Sequence, residues 1–154
     1  MKAMKKAKST WIKLTALCLV INLAIPITAN AAEESTLMPY ASYYLDSYNT
    51  YMYAAGSGKV QVWFSVTGTS YMDEIGSLSI MLYESTDNTT WTRVKTFLHE
   101  DYSSMLTSNK VSYSSCVTYQ GVAGRYYKAY VCLWAGKNSG GDTRYMWATS
   151  VKAT

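Results

Sequence analysis

Histidine, cysteine and proline are scarce in this sequence, and their scarcity restricts the chemistry it can perform. The 154 residues include one histidine, three cysteines and two prolines. His99 has no second histidine with which to complete a metal site or an acid–base pair. Cys18 lies in an apolar leader, which leaves Cys116 and Cys132 as the thiols of the remaining chain. The sequence also lacks a segment of about ten residues whose apolar side chains recur at the spacing of an α-helix.

The N-terminus has the order of a secretory signal peptide. Five lysines accompany an apolar run from Leu14 to Ile27, and Ala29-Asn30-Ala31 offers an Ala-x-Ala cleavage site. The run is shorter than the about 20 residues that span a bilayer comfortably. We therefore expect a signal peptide over residues 1–31, a flexible lead-in over 32–43 and one domain over 44–154, secreted and without membrane insertion after cleavage.

Removal of the leader changes the charge of the chain. Five of the fourteen Lys and Arg residues lie in the leader, whereas all ten acidic residues follow it. The exported chain therefore has a net charge near −1. It has no basic field to attract nucleic acid or anionic lipid.

What the exported chain has in excess is tyrosine and the two-residue apolar period of β-strands. All fifteen tyrosines and four of the five tryptophans follow the leader. Strands are predicted at about 45–54, 59–68, 77–84, 91–98, 110–119, 125–135 and 143–151. Tyr71 to Gly76 could form one short helical turn. About seven short strands indicate an all-β, antiparallel two-sheet sandwich, immunoglobulin-like or fibronectin-like, with a jelly roll as the alternative.

The Gly56-Ser57-Gly58 turn fixes the register of the first predicted hairpin. If the turn centres on Ser57, one face pairs Met52 with Val62, Thr50 with Phe64 and Tyr48 with Val66. That face is predicted to enter the core. The opposite face pairs Tyr53 with Gln61 and Tyr51 with Trp63.

The two faces of the sixth predicted strand differ in charge. Lys128 is costly to bury, so we expect its face to point outward and the opposite face to enter the core. The inward residues are Tyr127, Ala129, Val131 and Leu133. Tyr127 follows Gly121 and Gly124, a position that resembles a tyrosine corner, whose hydroxyl bonds to upstream backbone.

Outward aromatic rings are the functional lead with a physical basis. Flat rings stack on sugar faces or receive apolar peptide groups. One candidate patch is Tyr51, Tyr53 and Trp63, and a second is Tyr126, Tyr130 and Trp134. The alternative is that these rings are cross-strand pairs that stiffen a solvated sheet.

The motifs that resemble catalytic or metal-binding sites are incomplete. His99-Glu100-Asp101 and Asp73-Glu74 are sequence neighbours, which does not make two carboxylates flank one bond or surround a cation. Ser85 to Trp91 is similar to an Asp-box hairpin but lacks its glycine, and Asp87-Asn88 is good turn chemistry. We therefore expect no metal, no cofactor and no enzymatic activity, with a hydrolase as the residual alternative.

Export makes a disulfide between Cys116 and Cys132 possible. By the predicted facing, both side chains point outward. Their strands would lie in different sheets of an immunoglobulin-like fold, which would keep outward thiols apart. Both outcomes stay open at this stage.

Several short stretches in one order resemble a family of small secreted proteins of Gram-positive, Clostridia-like Firmicutes, grouped as a domain of unknown function. They are VTGT (66–69), MDEIG (72–76), LYES (82–85), VTYQG (117–121), GRYYKA (124–129) and AGK (135–137). The resemblance covers about residues 45–152. It implies a signal peptide and one domain, and no activity, cofactor or catalytic residue. Cys116 and Cys132 do not belong to its pattern.

The sequence therefore favours a secreted, non-catalytic binding module. Its partner would be a glycan, a cell-wall polymer or a surface protein. The alternative is a structural or self-associating extracellular protein, favoured by tyrosine-rich strands and low net charge.

Overall fold

The structure, a computed structural model, describes residues 42–154. The predicted signal peptide and all of the lead-in before Ser42 lie outside these residues. Eight strands and a single 3₁₀ turn, Ser103–Met105, make up the regular structure of the described part. The strands are β1 (Leu45–Gly56), β2 (Lys59–Met72), β3 (Glu74–Ser85), β4 (Thr92–Leu98), β5 (Leu106–Thr107), β6 (Lys110–Gln120), β7 (Tyr126–Lys137) and β8 (Gly140–Lys152).

The strands form two antiparallel sheets, which confirms the predicted all-β sandwich. The smaller sheet has the order β1-β2-β6, and the larger has the order β4-β3-β7-β8 with β5 paired to β3. The seven predicted strands all form, and β5 is an additional strand of two residues. In a constant-type immunoglobulin domain the fourth strand joins the sheet of the first two; here β4 pairs with β3 instead. No helix in residues 42–154 is long and apolar enough to span a membrane.

The β1–β2 hairpin has the predicted register. Met52 lies opposite Val62, Thr50 opposite Phe64, and Tyr51 opposite Trp63. Ser57 and Gly58 form the turn with positive φ at both positions, which is the two-residue geometry that matches the twist of a hairpin. This turn pairs Gly56 with Lys59, and a register shift between Ala54 and Gly56 then brings the rest of the hairpin into the predicted register.

The prediction that Tyr48 enters the core with this face of the hairpin is wrong. It pairs with Val66 as expected, and Val66 is completely buried, but Tyr48 itself remains 38% exposed. The reason is that β1 is an edge strand, so near its start one flank of the side chain has no neighbouring strand to cover it.

The core lies between β2 of the smaller sheet and β3 and β7 of the larger. Tyr127, Ala129, Val131 and Leu133 are all completely buried, as predicted for the inward face of β7. They share one hydrophobic cluster with residues from every other long strand. Burying one large apolar side chain contributes about 1.5–3 kcal/mol. The alternation along β7 therefore fixes which of its residues remain for the outer surface.

The short helical turn predicted over Tyr71 to Gly76 is wrong. The segment ends β2 at Met72, bends at Asp73 and enters β3 at Glu74. Met72 and Ile75 are both buried in the core. A bend of one residue brings both apolar side chains to the same interior, and pairing of Gly76 with Leu106 and Trp134 then holds it in strand conformation.

Tyr127 forms the predicted tyrosine corner. The backbone N–H of Val122 donates to the Tyr127 hydroxyl oxygen at 2.9 Å. The same hydroxyl donates to the Glu84 carboxylate, whose other oxygen is ion-paired with Arg125. This network ties β3 and β7 to the loop between β6 and β7, so the buried phenol is satisfied in both its donor and its acceptor role.

The described end of the predicted flexible lead-in is tied to the domain. The Ser42 hydroxyl donates to Asp142 at the start of β8 and accepts from the Leu45 backbone N–H at 2.7 Å. The Tyr43 carbonyl accepts from the Thr69 hydroxyl at 2.8 Å. Ser42 and Tyr43 therefore make polar contacts with the domain that the sequence pattern does not reveal, while the flexible lead-in over residues 32–43 stays a prediction.

Replacing Tyr127 by phenylalanine is expected to lower the free energy of unfolding by about 1–3 kcal/mol. The substitution leaves the Val122 N–H without its acceptor and Glu84 without one donor. Urea denaturation at neutral pH measures the loss. Tyr119→Phe is the matched control, because the Tyr119 ring packs at 6.0 Å from that of Tyr127 and its hydroxyl makes no hydrogen bond within residues 42–154. An equal loss in both variants would contradict the proposed network.

The same tyrosine is expected to make the fold sensitive to alkali. Burial first, and then the hydrogen bond to Glu84, raise the pKa of Tyr127 to about 12 from 10.0. Above pH 10 the unfolded chain releases a proton that the folded state keeps, so stability is intact below pH 10 and falls as the pH rises towards 12. Two pKa units correspond to about 3 kcal/mol. Tyr127→Phe should lose less stability over this range than Tyr119→Phe does, as measured by urea midpoints; equal losses would refute this.

Candidate functional site

The outer face of the larger sheet is built from side chains that alternate with the core residues of β7. Lys128 and Tyr130 point away from the core because Tyr127, Ala129 and Val131 point into it. Their cross-strand partners come from both neighbouring strands. Tyr83 of β3 lies opposite Lys128, and Trp147 of β8 lies opposite Tyr130.

These neighbours form a connected set of rings, which we call the larger-sheet aromatic face. The Trp147 ring centroid lies 4.7 Å from that of Tyr130 and 5.4 Å from that of Tyr83. Tyr130 stacks on Tyr145 at 5.6 Å with 18° between the ring planes. The face consists of Tyr83, Trp91, Lys128, Tyr130, Tyr145 and Trp147.

The larger-sheet aromatic face is open to solvent along β8. Trp147 is 50% exposed and Tyr145 is 57% exposed. Because β8 is an edge strand, no further strand covers these two rings. The face therefore presents aromatic area of the kind that receives ring-shaped or apolar ligand groups.

The Lys128 ammonium lies between two indole rings. Its Nζ is 4.4 Å from the ring centroid of Trp91 and 4.6 Å from that of Trp147. Both distances are within the about 6 Å range of cation–π attraction, which strengthens when the cation is desolvated. Lys128 thus holds the two tryptophans at a fixed spacing while keeping its positive charge on the face.

The turn between β3 and β4 positions Trp91. The Asp87 carboxylate accepts from the backbone N–H groups of Thr89 and Thr90, each at 2.8 Å, and from the Ser85 hydroxyl at 2.8 Å. Asn88 has φ +60°, the left-handed conformation that asparagine tolerates. The predicted turn chemistry of Asp87-Asn88 is confirmed. This turn places the Trp91 ring against the Lys128 ammonium.

The second predicted patch does not form as one surface. Of Tyr126, Tyr130 and Trp134, only Tyr130 belongs to the larger-sheet aromatic face. Tyr126 lies beneath the Lys152 ammonium, with 5.3 Å between Nζ and ring centroid. The indole of Trp134 covers Gly136 and Gly141, where a Cβ atom would collide with it. Two glycines leave a hollow that the indole fills, so Trp134 is packed rather than presented.

The sequence predictions missed Tyr83, Trp91, Tyr145 and Trp147. Tyr145 and Trp147 alternate along the predicted strand 143–151, which was the available signal. Which strands flank β7 is not readable from one strand's own pattern. The assignment to this face therefore required the sheet order.

The first predicted patch does form, on the outer face of the smaller sheet. The rings of Tyr51 and Trp63 are stacked at 6.2 Å with 5° between planes, and Tyr53 meets Tyr51 edge-on at 5.1 Å. The Trp63 indole N–H donates to the Gln61 side-chain oxygen at 3.2 Å. Tyr53 is 54% exposed. This smaller-sheet patch has three rings and no charged member.

The disulfide between Cys116 and Cys132 does not form. Both cysteines are free, one on β6 of the smaller sheet and one on β7 of the larger. Cys132 lies on the outer face of β7, as predicted, but it is covered there and is only 4% exposed. Tyr145 lies opposite it on β8, and burial raises the pKa of the Cys132 thiol.

His99 has no acidic partner among residues 42–154. It follows β4, and its backbone N–H donates to the Leu78 carbonyl at 3.1 Å. Asp73 instead accepts from the Asn138 backbone N–H at 2.8 Å, and Glu74, Glu100 and Asp101 are exposed. The described residues contain no group of three or more His, Cys, Asp or Glu side chains placed to hold a metal ion.

Comparison with known proteins adds little to this geometry. No protein-family model matches the chain, and no curated protein matches it significantly. One solved structure that matches is Spo0M, a sporulation control protein from Bacillus subtilis, with 10% identity and a TM-score of 0.38. The match covers 71% of this chain and spans about half, 51%, of the Spo0M chain.

The turn that carries Trp91 is expected to make the protein sensitive to acid. Hydrogen bonds from Thr90, Thr89 and Ser85 hold the pKa of Asp87 well below its ordinary 3.8. The stabilisation is therefore complete above pH 3.8 and is lost as the pH falls below it. Asp87→Asn keeps an acceptor oxygen without the charge, so its stability should vary less across this range in urea titrations. Asp46→Asn is the control, since Asp46 is exposed and its side chain accepts no hydrogen bond in the described residues; the same flattening there would contradict the assignment.

Proposed function

We propose that the protein is a secreted, non-catalytic binding module that recognises a surface glycan through the larger-sheet aromatic face. The observation that carries the proposal is the connected run of rings from Tyr83 through Trp147 and Tyr130 to Tyr145, half exposed at its β8 end. A cell-wall polymer that contains sugar rings is one such glycan. A surface protein is the remaining partner that the exposed rings would suit.

The exposure of these rings supports binding over mere stiffening of the sheet. Cross-strand aromatic pairs stabilise a sheet by about 0.2–1 kcal/mol each, and they need no solvent-exposed ring faces to do so. Trp147 and Tyr145 remain at least 50% exposed while making such pairs. Large exposed rings fixed by their neighbours provide contact area at little cost in side-chain entropy.

Secretion is part of the proposal. It rests on the basic leader, the apolar run and the Ala-x-Ala site in residues 1–31. Membership of the Clostridia-like secreted family also remains a proposal, carried by the motifs of residues 66–137. A fibronectin-like variant of the sandwich is the finer fold that we propose, because β4 pairs with β3 and not with the sheet of β1 and β2.

A binding role without catalysis fits the side chains available. General acid–base chemistry needs a titratable pair directed at one reacting bond. His99 and the exposed carboxylates near it are not joined by any hydrogen bond or ion pair within residues 42–154. The groups that do converge are aromatic rings and one lysine, which bind rather than react.

The alternative function is self-association outside the cell. It is favoured by β8, an edge strand that carries the exposed rings of Tyr145 and Trp147. An exposed edge can pair with the edge of another copy.

Trp147→Ala is expected to reduce glycan affinity at least about tenfold, because truncating a tryptophan at the centre of a binding site typically costs about 2 kcal/mol or more. The measurement is a glycan array and a peptidoglycan pull-down with the chain from residue 32. Trp63→Ala is the matched control, since it removes the same side chain from the outer face of the other sheet. Loss of binding in Trp63→Ala alone would move the site to the smaller-sheet patch, and an absence of wild-type binding to every glycan tested would overturn the proposal.

Light scattering separates the two functions. A binding module is expected to stay monomeric as its concentration rises, and Trp147→Ala should not change its mass. Growth of the mass with concentration, abolished by Trp147→Ala, would support self-association through β8 instead.

A further inference from the structure

We infer that the glycan bound at the larger-sheet aromatic face is an acidic polysaccharide, one whose pyranose rings carry carboxylates. The inference rests on the proposed function and deepens it by naming the class of ligand. It follows from the charges around the rings, because a glycan stacked on these rings would lie close to those charges.

Three cations lie at one end of this outer face, each from a different strand. Lys128 is held between Trp91 and Trp147. Arg93 of β4 lies opposite Tyr83, with its guanidinium 3.7 Å from the Met81 sulfur. Lys152 of β8 lies over Tyr126. None of the three makes a salt bridge within residues 42–154, where the ion pair present joins Arg125 to Glu84.

Acidic groups are few at that end. On the same outer face, Glu74 lies opposite Gly136, eight residues along β7 from Lys128 and therefore roughly 26 Å away. Asp87 belongs to the neighbouring turn, where its carboxylate is already surrounded by donors from Ser85, Thr89 and Thr90. Glu84 is at this end as well, but its carboxylate is ion-paired with Arg125. With Lys128, Arg93 and Lys152 against Asp87, the ring-bearing end is therefore positive although the exported chain is slightly negative overall.

Rings and cations together select one ligand chemistry. Aromatic side chains stack on the C–H faces of pyranose rings, and Lys and Arg attract anions. A polysaccharide that contains uronic acids offers both groups in each uronic-acid unit. A polyol phosphate has the anion without the ring face, and a neutral glycan has the ring face without the anion.

Single-stranded nucleic acid also combines flat rings with negative charge. Its non-specific binding requires a cationic groove that follows the phosphate backbone. Three cations at one end of an open sheet do not provide such a groove, and the net charge near −1 of the exported chain opposes long-range attraction. A polysaccharide is therefore the better fit.

The direct test compares acidic oligosaccharides with their neutral methyl esters. Oligogalacturonate, oligomannuronate and a hyaluronan oligosaccharide are titrated into the chain from residue 32 by calorimetry, alongside the esterified form of each. At least one acid should bind, its ester should bind about tenfold more weakly, and added salt should narrow the gap because exposed ion pairs are screened. Oligothymidylate is included as the nucleic-acid probe.

Charge variants locate the contact on the protein. Arg93→Gln should weaken binding of the acid about threefold to fivefold, the typical effect of one exposed ion pair, and leave ester binding unchanged. Lys128→Gln should weaken binding of the acid more than binding of the ester, and it should weaken both because it also removes the cation that spaces Trp91 and Trp147. Lys128→Arg should restore the acid preference because it retains the cation beside the indoles. Lys110→Gln is the matched control, since Lys110 is an exposed lysine of the smaller sheet.

The outcomes separate the inference from the function on which it rests. Equal binding of acids and esters, or binding of neutral glycans that Trp147→Ala abolishes, would overturn the inference and leave the binding module intact. Preference for oligothymidylate would overturn it in favour of nucleic acid. If none of the acidic or neutral glycans binds, both the inference and the proposed function are wrong.

Discussion

The alternation of side chains along β7 is the constraint on which both the core and the proposed site depend. The core residues of this strand, Tyr127, Ala129, Val131, Leu133 and Ala135, are completely buried, and the residues between them point to the outer face. A shift of the strand register by one residue would exchange the two sets and place Lys128 in the interior. Burying its unpaired ammonium would strongly destabilise the fold. The Tyr127 hydroxyl, fixed by Val122 and Glu84, opposes such a slip.

Lys128 links the stability of the fold to the character of its surface. Its stem and ammonium organise Trp91 and Trp147, which come from opposite flanks of the sheet. A neutral side chain of the same length would fill the space but would lose the attraction to both ring faces. The arrangement keeps two large apolar rings apart on the outer face of the sheet.

Much of the fold was predictable because it is determined locally. Two-residue periodicity located seven strands, the Gly56–Gly58 turn fixed the β1–β2 register, and the charge of Lys128 distinguished the two faces of β7. Of the rings in the proposed site, only Tyr130 was among those predicted, whereas the other predicted patch formed as a whole. Tyr51, Tyr53 and Trp63 lie on adjacent strands of one hairpin, and they do meet.

What sequence could not supply was the order of strands that are distant in the chain. Tyr126, Tyr130 and Trp134 share a face of β7, yet Tyr130 is drawn into a set with Tyr83 and Trp147, whose strands flank it in the sheet. Cys132 also faces outward by pattern and is nevertheless covered by cross-strand neighbours. Two-residue elements such as β5 are too short for any period to show.

The two ends of the described chain leave the sandwich at opposite poles. Ser42 is bonded to Asp142 beside the β7–β8 turn, whereas Ala153 and Thr154 are bonded to Arg125 and Gly58 at the far end of β7. The 12-residue length of β7 places these poles roughly 35 Å apart. A domain fused to either end would therefore extend along the strand axis and would leave the outer faces of both sheets uncovered.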